Sequence, residues 1–300
     1  IFVAEGTYTE NLTVNIQVEL FGSYIVSGST WLPGTPGAST INGSSSIGQP
    51  VVTFGGVADG AILNGFTVTG GSVITDGGGI AISSVSPIIQ ACIIKGNTGG
   101  SPSIEWGSGG ILIGNGSAPI ISNTIIMSNT GTGGASGIRV GSNVTLTVIN
   151  SVIAQNTGRF AIHANGPNLI KLINVTIANQ VNDGGILLNQ GSQAVITNSI
   201  IWEPSNQALA LADANSVFTV TYSDVSDGVL SGTGNLSIDP KFIGSGNYHL
   251  KVGSPVIDKG TSNGAPIADL EGTPRDARPD MGAYEWVGFR VYLPLALKNY

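Results

Sequence analysis

Short apolar runs recur along the chain at near-constant spacing, each broken by Asn, Gly or Ser before it reaches helical length. Six of them align as "ILNGFTVTG" from Ile62, "IQACIIKGN" from Ile89, "ISNTIIMSN" from Ile121, "VINSVIAQN" from Val148, "LINVTIANQ" from Leu172 and "ITNSIIWEP" from Ile196, and "TYSDVSDG" after Val220 follows in register. The spacing is widest between Ile89 and Ile121 and becomes constant from Val148 onward. Such a period marks a solenoid, whose units bury their apolar faces only against their neighbours. In the coil from Gly137 to Phe160, period-two alternation puts Ile138 and Val140 on one face of a first strand and Val144, Leu146 and Val148 on one face of a second. A third, Val152 to Ala154, follows a bend at Asn150. The pattern predicts an all-β, single-domain parallel β-helix with three short strands in each coil of ~24 residues.

Stacked coils bring like residues together, so columns become readable. The first strand predicts one apolar column through Ile80, Ile111, Ile138, Ile162 and Ile186 and a second through Ile82, Ile113, Val140, Ala164 and Leu188. The bend column reads Asn64, Ala91, Asn123, Asn150, Asn174, Asn198 and Tyr222. An amide both donates and accepts, so Asn64, Asn123, Asn150, Asn174 and Asn198 are expected to stack as a buried ladder. Six residues on, Gly70, Asn97, Asn129, Asn156, Gln180, Pro204 and Gly228 mark the next turn. A leucine-rich repeat shares the period, but it fixes Leu at set positions and follows each strand with a convex segment; these coils are Ile- and Val-rich without a helix-forming stretch.

These residues resemble the pectin-lyase-like superfamily of right-handed parallel β-helices, in particular bacterial secreted and surface proteins. "VAEGTYTENLTV" at Val3 is similar to an opening coil of that group, and "GFTVTGG" and "SPIIQACIIKGNT" to its ordinary coils. The resemblance implies a secreted or cell-surface location. In the group an upstream segment precedes the opening coil; without one, the first coil is expected to be uncapped at Ile1.

Composition narrows the class further. Only 10% of residues are charged while Gly supplies 45 positions, so the surface must be built from Ser, Thr, Asn and Gly. Mean hydropathy is +0.27, yet no apolar run reaches the roughly 20 residues needed to span a bilayer. A net charge of -7 without a basic stripe argues against nucleic acid. Cys92, the only cysteine, sits in "IIQACII" and reads as a small core residue. The sequons at Asn11, Asn42, Asn115, Asn143, Asn174 and Asn235 are what chance produces in such a composition.

The repeat stops near Asp239, which divides the chain into a β-helix (1–238), a closing module (239–286) and an apolar tail (287–300). "SPVIDKG" and "DMGAYE" resemble the closing module of many bacterial β-helices. Its Asp258, Asp269, Glu271, Asp276, Asp280 and Glu285 are hard ligands suited to calcium, but calcium-loop spacing is absent; ion pairs with Arg275 and Arg278, finishing the last coil with a polar surface, are the stronger expectation. No other cofactor or metal is implied. The tail "FRVYLPLALKNY" is too short for a membrane helix, and Pro294 restricts it to an edge strand or a groove-bound peptide. It resembles "YLPL"-type ends of some bacterial secreted proteins. The tail is expected either to fold back on its own barrel or to dock on another molecule; in the second case alternate Val291, Leu293, Leu295 and Leu297 are the candidate assembly residues that build a homo-oligomer or filament.

Lyases and hydrolases of the resembled superfamily need calcium carboxylates with a basic residue, or an aspartate cluster, and neither motif is present. One constellation remains. Arg139 and His163 hold equivalent places in successive coils and should sit one above the other on the outward column of the first strand. Insertions at "GGSPSIEWGSGG" and "TGTGGAS" enter at the same corner, so Glu105, Trp106, Arg159 and Asp183 can line a groove beside them. Trp106, Arg159 and Asp183 are candidates to hold a sugar, with Glu105, Arg139 and His163 as acid-base candidates. The stronger expectation is that Arg139 and His163 are solvated strand residues and Trp106 a plug. Three functions follow in order: a non-catalytic structural or assembling surface protein, a polysaccharide-binding module, and a polysaccharide lyase or hydrolase.

Overall fold

The computed structural model describes residues 1–74, 76–101, 106–182, 184–244 and 246–288. Every regular element among them is a strand, and the strands form a right-handed parallel β-solenoid of about 7 turns with three strands per coil. One coil shows the path: Ile138–Val140, Thr145–Ile149 and Val152–Ala154. Each pairs in parallel with its equivalent in the next coil, as Ile138 with Ile162, Val148 with Leu172 and Ile153 with Ile177. The result is three long sheets, of eight strands through Ile138–Val140, ten through Thr145–Ile149 and nine through Val152–Ala154. Both first-strand columns are observed: Ile80, Ile111, Ile138, Ile162 and Ile186 follow one another in register and are fully buried.

One alignment shifts by a residue. Leu63, not Ile62, stands opposite Ile89, because Leu63 is the inward side chain and Gly65 takes the bend at φ 78°. Asn64 is therefore a strand residue opposite Gln90 and lies outside the bend column. The other bends are left-handed throughout: Ala91 (φ 51°), Asn123 (48°), Asn150 (45°), Asn174 (53°), Asn198 (53°) and Tyr222 (48°).

At these bends the side chains leave the core, which corrects the expected ladder. Only one rung joins two of the asparagines, Asn198 Nδ2 to Asn174 Oδ1 at 3.3 Å. The continuous ladder is the column six residues on. Asn97 Nδ2 donates to Asn129 Oδ1 (3.0 Å), Asn129 Nδ2 to Asn156 Oδ1 (3.0 Å) and Asn156 Nδ2 to Gln180 Oε1 (3.2 Å); the Gln180 backbone N–H donates to Glu203 at 3.0 Å. Each amide also bonds the backbone of the preceding coil, as Asn129 Nδ2 does the Ile94 carbonyl at 2.9 Å. Glu203, not Pro204, therefore occupies the terminal place of this column.

Residues 229–238 close the last coil. Leu230 packs on the core, Leu236 bridges to the final strands, and Asn235 receives the Ser223 N–H while donating to the Val220 carbonyl. The closing module therefore does not finish the last coil. From the hairpin Phe242–Gly244/Asn247–Leu250 it folds back along the outside of the nine-stranded sheet. Tyr248, Ala283 and Tyr284 pack on Val152, Ala154 and Ala178, and Leu250, Val256 and Met281 pack on Ile200. The bend asparagines hold it: Asn123 to the Asp269 and Leu270 carbonyls, Asn150 to the Ala268 carbonyl at 2.6 Å, Asn174 to the Asp280 carbonyl at 3.1 Å and Asn198 to the Thr261 carbonyl at 2.8 Å.

Candidate functional site

Arg139 and His163 are adjacent in register, as the spacing predicts. They are not solvated: Arg139 is 2% and His163 4% exposed. At the corner where the insertions enter, a fourth small sheet stacks Thr98–Gly99, Thr130–Gly131, Thr157–Gly158 and Val181–Asn182. Loop residues from that corner cover the two side chains. His163 Nδ1 lies 2.8 Å from the Gly134 carbonyl, so Nδ1 carries the proton. Arg139 Nη1 donates to the His163 carbonyl at 3.2 Å, and its guanidinium carbon sits 5.0 Å from the Trp106 ring centroid. A side chain at Gly134 would press on Arg139 Cδ at 3.0 Å, so glycine lets the loop lie this close.

This cluster is a clamp between sheet and loops. Burial, followed by the charge of Arg139, lowers the His163 pKa to about 4, so the imidazole is neutral at physiological pH and a poor base. One face of Trp106 is taken by Arg139. Arg159 is half-buried near the same corner. Glu105 and Asp183 lie outside the described residues, as do Val291, Leu293, Leu295 and Leu297.

The carboxylates of Asp269, Asp280 and Glu285 are engaged by the closing module itself. Arg275 pairs with Glu285 at 2.8 Å with both side chains buried. Glu285 also accepts the Asp280 N–H; Asp280 accepts from Asp258 and Trp286, and Asp269 from Glu271, Thr273 and Glu285. Among the described residues no three His, Cys, Asp or Glu side chains converge as a metal site. Asp269, Asp280 and Glu285 tie down the module's own backbone.

Two surface features had no sequence signal. A cleft of about 720 Å³ lies between the coil corner and the module hairpin, lined by Gln155, Asn179, Trp202, Lys241, Phe242 and Lys251 among others. Gln155 and Asn179 occupy successive coils, while the other four come from a later coil and the module, so only the folded-back module creates it. A smaller apolar groove of about 390 Å³ lies at the end of the described chain, lined by Ile243, Leu250, Lys251, Val252, Trp286 and Val287.

The path and its columns define a right-handed parallel β-helix. The family model described as "Right handed beta helix region" matches residues 103–243. No curated protein matches the chain. Among solved structures, the crystal structure of pectate lyase Pel9A is similar at 15% identity and a TM-score of 0.48, over 95% of this chain and 87% of that one. Among the described residues no helix is long and apolar enough to cross a membrane.

Proposed function

We propose that this chain is a non-catalytic structural β-helix of the cell surface or the extracellular space, which self-associates through residues 290–300. The observation that carries the reading is the burial of Arg139 and His163. The best acid-base pair on the coils clamps loops to a sheet, and its histidine is held neutral. The resemblance to bacterial surface β-helices supports the location. A scan of acidic and neutral polysaccharides for unsaturated-sugar absorbance and new reducing ends is expected to stay at background; turnover abolished by His163→Ala would make the protein an enzyme instead.

A second reading, glycan binding, is favoured by the cleft at Trp202. An aromatic wall beside amides and lysines is a surface on which a sugar can stack and hydrogen-bond. Calorimetry with neutral and acidic oligosaccharides tests it, and heat retained in Trp202→Ala would place binding elsewhere.

A further inference from the structure

The groove at the end of the described chain exposes Ile243 (50%), Val252 (67%) and Val287 (50%), while Leu250 is buried in its floor. The main chain passes through its wall at Trp286 and Val287. Twelve residues then follow Gly288 in the sequence, and in an extended conformation Val291, Leu293, Leu295 and Leu297 would share one side. Pro294 lacks an N–H, which suits an edge strand paired on one side only. The groove borders the hairpin Phe242–Gly244/Asn247–Leu250, a two-stranded sheet to which a third strand can be added.

Charge agrees with apolarity. Trp286 and Val287 of the groove, with Gly288, also line a second hollow, together with Asp258, Asp276 and Glu285. Glu285 is neutralised by Arg275, which leaves Asp258 and Asp276 facing it. The tail carries Arg290 and Lys298 and no acidic residue. An extended peptide with an apolar stripe and basic ends therefore matches an apolar groove beside an acidic hollow.

We infer that this groove is the receiving site for residues 289–300 of a second copy of the chain. The inference rests on the reading of the tail as a connector and supplies its socket. A neighbour's tail is favoured over the chain's own because Trp286 and Val287 are the wall. The chain's own tail would have to reverse immediately after Gly288 to face the segment it has just left, whereas an incoming peptide needs no reversal. Donor and acceptor surfaces differ, so the contact does not close on itself and successive copies add in a row.

Disulfide trapping in the full chain tests this. Cys92 is buried and its thiol is pushed up to about 12 by burial, so it stays silent. Chains carrying Val252→Cys are mixed with chains carrying Leu293→Cys, Leu295→Cys or Leu297→Cys and oxidised in air. At least one pair is expected to give covalent dimer several-fold above a control with Val229→Cys, an exposed position on the cap of the last coil. Dimer no higher than the control for every pair overturns the socket, even if light scattering shows that the protein assembles. A Val252→Cys/Leu295→Cys double variant that closes within one chain at every concentration, without crosslinks between chains, assigns the groove to the chain's own tail and also overturns it. If light scattering finds the unmodified chain monomeric at high concentration, the connector reading itself fails, independently of the crosslinks.

Discussion

Two columns of asparagine run along this molecule, six residues apart in each coil, and they do opposite things. Asn97, Asn129 and Asn156, continued by Gln180 and Glu203, are interior: each amide bonds the amide above it and the backbone of the coil below. Asn123, Asn150, Asn174 and Asn198 are exterior to the barrel: their backbones supply left-handed bends and their side chains hold the closing module. Residue type alone therefore does not say what an asparagine column is for. The difference lies in which neighbours surround it: the next coil in one case, a segment more than 60 residues away in the other. Where the module is absent the bend column loses its asparagines, becoming Gly65, Ala91 and Tyr222.

The largest expected effect breaks the interior column. Asn129→Leu strands the Asn97 N–H, the Asn97 amide and the Ile94 carbonyl, all buried, and should cost about 4 kcal/mol in one cooperative urea transition. Asn150→Leu should cost less, about 2 to 3 kcal/mol, from the lost bond to Ala268, the loss of one of the two acceptors of Arg275 Nη2, which keeps the Gly282 carbonyl, and a branched residue at φ 45°. Its mark is local: limited proteolysis should open the module at residues 260–280 while the coils remain protected. A module that stays protected in Asn150→Leu would show that its apolar contacts suffice.

Acidity tests the far end of the interior ladder. Burial pushes the Glu203 carboxyl from 4.5 up to about 7, so the folded state binds a proton that the unfolded state has released. That contribution is complete below about pH 4.5 and is lost as the pH rises through about 7, on the order of 3 kcal/mol. Asp224 and Asp280, also raised by burial to about 7, act in the same direction. The melting temperature should therefore fall between pH 5 and pH 8, and Glu203→Gln, which supplies a neutral amide to the ladder, should flatten that slope. An equal slope in the variant would put the dependence on the two aspartates alone.

The smallest effect belongs to the exterior column beyond the module. Ala91 sits at φ 51°, where an ordinary side chain costs about 1 kcal/mol and asparagine less. Ala91→Asn should raise stability by up to about 1 kcal/mol in a denaturation midpoint, without any new contact. No gain would mean that the bend is set by its neighbours.

Much of the coil was legible because its determinants are local. Alternation of Ile and Val, breaks at Asn and Gly, and the repeat identified the strands, the inward columns and the pairing of Arg139 with His163. The role of that pair was not legible: being outward on a strand suggests solvent, and only the glycine-rich loops that close over it make it a buried clamp. The clamp had one signal, the insertions at a shared corner.

What the sequence by itself determined is the coil: a near-constant period with three apolar stripes has one economical solution, because each coil must find its partner groups in a copy of itself. What only the tertiary structure decided is everything that touches the outside of that barrel. The closing module was expected at the end and lies instead along the side, because the outer face of the nine-stranded sheet is apolar at Val152, Ala154, Ala178 and Ile200 and must be covered. Those residues read as ordinary members of an Ile/Val-rich strand, since a one-dimensional pattern shows that a position is apolar and not which body buries it. The same fold-back turned the supposed ladder into a mooring line and created the cleft, made from coils and module together, and the groove, made from two separated stretches that follow the coils, and no contiguous stretch of sequence contains either.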